Sequence, residues 1–486
     1  MPKPTRIFDR DREWRDLESF AVGPIAGPRI AVVYGRRRQG KSLLLRALVT
    51  EHDGLYHQAL EEEREPALAH VGDLVAGAAG IGGSVTYADW RLAFSELIRQ
   101  AGDGRVIVLD EFPYLMAKSP ELPSVIQEAF DAATSEQAPP FRLILCGSAM
   151  SVMSSLLSGQ KALRGRVAVE ALIKPFDFRE AAAFWGIADP ETAFLVHATV
   201  GGTPGYRALL TDPGPQSAAE FEPWLFAGIL NPSSAMFREA DYLLTEDPAI
   251  SDRALYQSVL AAVAAGRTTR SAIGSVLARD DSALRHPLRV LERASFIRRD
   301  EDIWRAKRPI LRLEDPYLRF YFSVVRRDLA RFEAGRTVEA WADAGPTFAS
   351  QVLGPHFEQL ARTWTERYAS AETLGGRPST VGFTQLSDAA ARSRVELDVV
   401  AVRGDPRAAR PQVLAVGEAK GGAKARSVAD LRKLERGRSI LGEKADVKGA
   451  KLLLFSRSGF DRDLRNEAAT RADIELVDLG RLYRGE

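Results

Sequence analysis

Hydrophobic positions follow two periods along the chain. Short unbroken apolar runs occupy 29–34, 105–110, 142–147 and 167–172, and stretches of helical period lie between them. An apolar run of that length, closed by glycine or a charge, reads as a strand buried on both faces of a parallel sheet. Strands alternating with helices predict an α/β domain over 1–205, with a helix at 11–20 leading in and another starting at Lys41. From 206 to 335 the strand signal nearly vanishes. Leu255, Val259, Leu260 and Val263 share one helical face, and Leu284, Leu288 and Leu291 share another. Short strands at 296–299 and 310–313 are separated by a polar turn, so three helices and a hairpin are expected, the order of a winged helix-turn-helix. The stretch 334–346, rich in Gly, Ala and charge, predicts a boundary. Beyond it a helix at 352–368 precedes apolar runs at 395–402, 412–418 and 450–455, which predicts a second α/β domain over 347–486.

A chain of 486 residues is long enough for about three domains. Its net charge of +1 excludes a global polycation, so contact with nucleic acid would need a local patch. Six of the twelve lysines lie within 420–451, which makes that stretch the best candidate. The single cysteine, Cys146, excludes an intrachain disulfide and a cysteine-cluster metal site and suits a reducing cytoplasm. The N-terminus lacks the apolar core of a signal peptide, and no stretch approaches the roughly 18 apolar residues of a membrane span. A cytoplasmic protein without a membrane partner is expected.

The first apolar run ends in Gly35-Arg36-Arg37-Arg38-Gln39-Gly40-Lys41-Ser42, a full Walker A pattern between a strand and a helix. Glycines let successive N–H groups curl towards phosphate oxygens, and the helix that follows, including Leu43, presents its positive N-terminal end. Lys41 is the expected phosphate ligand and Ser42 a hydroxyl ligand of Mg²⁺. The second run ends in Asp110-Glu111, where a Walker B pair belongs: Asp110 for Mg²⁺ and Glu111 to polarise the attacking water. ATP and Mg²⁺ are the cofactors this implies.

With Leu109-Asp110-Glu111-Phe112-Pro113-Tyr114-Leu115, Leu145-Cys146-Gly147-Ser148, Arg164-Gly165-Arg166, Gly201-Gly202-Thr203-Pro204 and Asp315-Pro316-Tyr317-Leu318-Arg319-Phe320-Tyr321, the chain resembles the AAA+ ATPases of the STAND-related group. More narrowly, it resembles the archaeal-type ATPases that carry a C-terminal domain of nuclease-like fold. The resemblance implies that Ser148 is a sensor of the γ-phosphate or the water; read from the residues alone, it is equally a helix N-cap. It implies that Arg164 or Arg166 supplies an arginine finger, the alternative being a solvated loop arginine. Pro204 would pack near the adenine, or simply make a turn.

In the tail, Asp398 lies in an apolar run, and Glu418 and Lys420 are two apart on the next, so they share one strand face. Two carboxylates and a lysine could together hold Mg²⁺ and act on an attacking water. The pattern resembles the PD-(D/E)xK nuclease superfamily, with Leu397 in place of the usual proline, and the resemblance makes Glu358 the upstream acid. Arg285, Arg289 and Arg293 lie four apart on one predicted helix face, either a phosphate-contact stripe or a solvated one. Two functions stay open: an ATPase gating a DNA nuclease, and a STAND-like ATP switch that binds DNA or a protein without cutting. DNA and further copies of the chain are the candidate macromolecular partners.

Overall fold

The computed structural model describes residues 2–24, 26–102, 104–158, 161–245, 247–388 and 392–486, with the main chain alone at 305–308. Strands β1 (Arg29–Tyr34), β2 (Leu55–Gln58), β3 (Val106–Asp110), β4 (Arg142–Gly147) and β5 (Val167–Leu172) form one parallel sheet in the order β2-β3-β4-β1-β5. Four of them coincide with the apolar runs. β2, Leu-Tyr-His-Gln, is a short edge strand whose polar residues hid it. Alternate side chains pack on opposite faces. Ile30, Val32, Ile107 and Leu145 join one core, while Ala31, Val33, Val108 and Cys146 join another against the helices Asp11–Val22 and Lys41–Glu51. Tyr34 pairs with Gly147 and Leu109 with Leu145. That register brings the loops after β1, β3 and β4 out side by side.

The helices Arg253–Ala264, Arg270–Leu277 and Arg285–Arg293 lead into an antiparallel hairpin, β6 (Ile297–Asp302) and β7 (Arg305–Leu313). Helix Arg285–Arg293 buries Leu288, Val290 and Leu291 and leaves Arg285, Arg289 and Arg293 exposed. Pro287 sits in its first turn, where a missing N–H costs no helical bond.

The hairpin does not end its own unit. It continues a second sheet, in the order β12-β11-β10-β9-β8-β6-β7, with β8 (Thr380–Asp388), β9 (Ser393–Arg403), β10 (Gln412–Lys420), β11 (Lys451–Ser456) and β12 (Ile474–Asp478). The joint is Asp302, whose buried carboxylate accepts from Thr384 Oγ1 at 3.0 Å and from the Gln385 amide at 2.8 Å. Periodicity reports which face of a strand is buried, not which strand it pairs with, so this continuity was invisible in the sequence. The expected boundary at 334–346 is also mostly helical. Helix Thr337–Thr347 passes through a π-helical turn, Phe348–Leu353, into helix Gly354–Arg367. Alanine favours helix, and the wider turn follows Pro346, which cannot donate to the regular ladder. One apolar core runs from Phe178 to Leu482, so the middle and the tail are packed together.

Two histidines mark that packing. His197 Nδ1, on helix Pro190–Val200, lies 2.9 Å from His356 Nε2 on helix Gly354–Arg367. Burial pushes His197 down to about 4 and His356 well below its ordinary value. Both therefore stay neutral in the fold while the unfolded chain protonates below about pH 6.5. Their contribution is complete above that pH and is lost as pH falls towards 4, at up to about 1.4 kcal/mol per pH unit for each. Urea unfolding measured between pH 4 and 7 should show this slope, and His197→Asn should lower it by about one proton. An unchanged slope would contradict the burial of a neutral pair.

Candidate functional site

The loop after β1 is shaped by its backbone. A Cβ on Gly35 would collide with the Ile173 carbonyl oxygen. Arg38 at φ 66° and Gly40 at φ 87° are left-handed, which turns the chain straight into helix Lys41–Glu51. Lys41 is buried, and its Nζ donates to the Arg36 carbonyl at 3.1 Å. Ser42 reaches Asp110 from the first turn of that helix, and Leu43 beside it is half exposed.

Asp110 has no exposed surface. Burial alone would raise its pKa. Hydrogen bonds from the Cys146 thiol, the Ser42 and Tyr56 hydroxyls and the Glu111 amide outweigh that and hold the carboxyl below its usual range. An ionised carboxylate beside a hydroxyl is a hard oxygen donor set, which suits Mg²⁺. Glu111 stands at φ 53°, a conformation costly for a non-glycine residue. Its Oε2 accepts from Ser148 Oγ at 3.0 Å and from the Ser148 amide at 3.2 Å. The helix Met150–Leu156 has Ala149 at its N-cap, so the Ser148 hydroxyl serves Glu111 rather than a helix end. A cleft of about 560 Å³ opens there, lined by Arg37, Glu111, Tyr114, Lys118 and Ser148 among others.

Two of the loop's three arginines turn elsewhere. Arg36 lies 2.8 Å from Asp315 and over the Phe296 ring. Arg38 makes a two-pronged pair with Glu239, at 2.6 and 3.0 Å. Gln39 Nε2 reaches Thr203 at 3.4 Å, and the Gly205 amide, next to Pro204, donates to the Arg38 carbonyl at 3.0 Å. The side chains of residues 36, 38 and 39 thus fix the loop to the helical region. Arg166 grips Asp131 through two contacts, at 2.8 and 2.9 Å, and neither it nor the exposed Arg164 lines the cleft. Sequence reasoning missed Arg10, buried beneath the loop, which donates to the carbonyls of Lys174 and Gln39 and lies over the Phe176 ring. It also missed Tyr56. Nothing in the local sequence marks either residue, because their partners are distant in the chain.

These are the features of a P-loop nucleotide site, and a comparison with known families agrees. Residues 7–189 match a family described as an ATPase domain predominantly from Archaea. The match supports a P-loop ATPase domain over those residues and, with it, ATP binding and hydrolysis. An uncharacterised protein of Methanocaldococcus jannaschii, MJECL04, is 28% identical over 339 residues, which is 68% of this chain and 71% of that protein. Among solved structures, the Walker-type ATPase PABY2304 of Pyrococcus abyssi is 22% identical, covering 66% of this chain and 98% of its own, at a TM-score of 0.49. The ORC2 protein of Aeropyrum pernix, in ADPNP–ADP complexes, is 12% identical, covering 68% of this chain and 97% of its own, at a TM-score of 0.35.

A second cluster lies in the other sheet. Lys420 Nζ is 2.7 Å from Glu418 and 3.6 Å from Asp398, and Asp398 accepts from the Ala419 amide at 2.8 Å. Glu358, on helix Gly354–Arg367, pairs with Arg312 at 3.5 Å. Burial, with repulsion from Asp398, raises the pKa of both Glu358 and Glu418. Burial pulls Lys420 down, but Asp398 and Glu418 outweigh it and its pKa is raised. Asp398, Glu418 and Lys420 therefore stand together, and Glu358 lies near enough for Asp398 to repel its charge. Among the described residues, no three His, Cys, Asp or Glu side chains stand arranged around a metal position; here the Lys420 ammonium bridges two of the carboxylates.

Arg38→Ala would strand the buried carboxylate of Glu239. Breaking such a pair costs about 3–5 kcal/mol. Denaturant unfolding should show a loss of that order, and a loss below about 1 kcal/mol would mean that the pair does not anchor the loop.

Proposed function

We propose that this chain is an Mg²⁺-dependent ATPase of AAA+ type whose nucleotide state governs phosphodiester cleavage in DNA by its C-terminal carboxylate cluster. The observation that carries the reading is the convergence at the ends of β3 and β4, with Asp110 bonded to Ser42 and Glu111 bonded to Ser148.

The loop amides and the start of helix Lys41–Glu51 bind the phosphate oxygens. Lys41 turns from the Arg36 carbonyl to the β- and γ-phosphates. Ser42 and Asp110 would hold Mg²⁺, which when bound offsets charge on the β- and γ-oxygens. Glu111 orients a water and takes its proton as the water oxygen bonds to the γ-phosphorus and the bond to the β–γ bridging oxygen breaks. ADP and phosphate leave. Ser148 holds Glu111 in place for that transfer. Pro204 packs against the adenine side. Arg166 is committed to Asp131, which leaves Arg164, exposed and outside the cleft, to act as an arginine finger towards a second copy of the chain.

In the tail, Asp398 and Glu418 would hold Mg²⁺ once the Lys420 ammonium that bridges them turns aside, with Glu358 drawn in to complete the set, and Lys420 would steady the attacking water. Helix Gly354–Arg367, the β8-β9-β10 meander, helix Val428–Leu441 and the parallel β11 support the PD-(D/E)xK reading. The exposed Arg285, Arg289 and Arg293 give DNA phosphates a docking stripe on a winged helix whose hairpin is β6–β7. One observation favours a switch that does not cut: the Lys420 ammonium already satisfies Glu418.

ATP turnover and plasmid nicking, measured together, separate the readings. Glu111→Gln should bind nucleotide yet turn over about 100-fold or more slowly. Asp398→Ala should abolish Mg²⁺-dependent nicking. Turnover by Glu111→Gln at the wild-type rate would remove Glu111 from the mechanism. ATP turnover without any nicking by the wild type would leave the switch.

A further inference from the structure

β7 runs into Arg312-Leu313-Glu314-Asp315, and the two ends of this segment meet the two sites. Asp315 takes the P-loop arginine, Arg36, at 2.8 Å. Three residues earlier, Arg312 reaches Glu358 at 3.5 Å and Asp300 at 3.1 Å. We propose that Arg312 is a positioning residue for Glu358, and that residues 312–315 form a strap through which the nucleotide loop and the carboxylate cluster adjust each other. The proposal rests on the reading of both sites given above.

The strap has little slack. Its residues advance by at most about 3.6 Å each, so residues 312 and 315 lie no more than about 11 Å apart along the chain. Leu311 and Leu313 are buried in the shared core. Asp315 caps helix Pro316–Phe320 through the Tyr317 amide at 2.8 Å and accepts from the Tyr206 hydroxyl at 3.2 Å. Arg319, wholly buried, donates to the Leu313 carbonyl at 3.1 Å and to Gln359, the residue after Glu358, at 3.4 Å. Packed elements of this kind move as units rather than stretch.

Each end has a reason to move. Lys41 donates to the carbonyl of Arg36 itself. When that ammonium turns to a phosphate, the Arg36 peptide loses a donor, and the change enters the strap at Asp315. At the far end, Arg312 stands between two carboxylates, 3.5 Å from Glu358 and 3.1 Å from Asp300. A shift of Arg312 towards Asp300 frees the Glu358 carboxylate; a shift towards Glu358 holds it.

Coupling between two sites is reciprocal, so a change at Glu358 must alter nucleotide affinity. Titration of a fluorescent ATP analogue with Mg²⁺ into full-length wild type, Glu358→Gln, Arg312→Gln and the double variant tests this, with thermal melts to confirm folding. Glu358→Gln should shift the affinity by about five-fold or more. The shift should vanish when Arg312 is already Gln, return with Arg312→Lys, and vanish again with Asp315→Asn. Equal affinities in wild type and Glu358→Gln, or the same shift with and without Arg312, would overturn the strap. No binding of the analogue by the wild type would overturn it together with the nucleotide-site reading. A strap that passes this test in a protein that never nicks DNA would remove only the cleavage reading.

Discussion

The carboxylate of Asp110 is wholly buried and must stay charged, and much of the ATPase domain is arranged around that requirement. A lone charge in such a place would take up a proton. Four donors prevent it, and each comes from a different place in the fold: Ser42 from the P-loop helix, Tyr56 from the edge strand, Cys146 from the neighbouring strand and the amide of Glu111. The strand order follows the same need. β4 lies between β1 and β3, so Cys146 comes level with Asp110, and Ser148, just beyond it, can hold Glu111. A change in register would separate these groups.

Charge is used differently in the rest of the chain. A net charge of +1 hides a large number of arginines matched to specific acids. Arg36 and Arg38 bind the P-loop to Asp315 and Glu239, which lie far along the chain in the helical region. Arg312 binds the hairpin to Glu358 in the tail. Because the apolar core from Phe178 to Leu482 is continuous, these pairs lie within packed surroundings, where an unmatched charge is expensive. They therefore set the geometry between regions more than they add stability.

The ATPase half was legible in the sequence because its signals are local. A buried strand shows as an apolar run, and a phosphate loop shows as glycines at fixed spacing before a lysine. That Glu418 and Lys420 share a face was legible because a spacing of two on a strand fixes it, and Asp398 meets them from the neighbouring strand. What stayed hidden depends on partners distant in the chain. The link between β6 and β8 rests on Asp302 meeting Thr384 and Gln385. β8 and β12 mix polar residues into their strands and carry no continuous apolar run. The region at 334–346 looked like a linker by composition, yet alanine also favours helix, and packing of Ala340, Trp341 and Ala344 settled it. Nothing local marks the partners of the P-loop arginines, and only the fold shows that two of them turn to buried acids.

The central claim is that the loop at 35–42, with Lys41 as its charge, holds the triphosphate. Calorimetric titration of Mg·ATP into the wild type and Lys41→Ala tests it directly. A single saturable site in the wild type, with binding at least about 100-fold weaker in Lys41→Ala, is the predicted result, corresponding to about 2.7 kcal/mol of lost binding. No heat of association in the wild type, or equal affinity in both proteins, would contradict it.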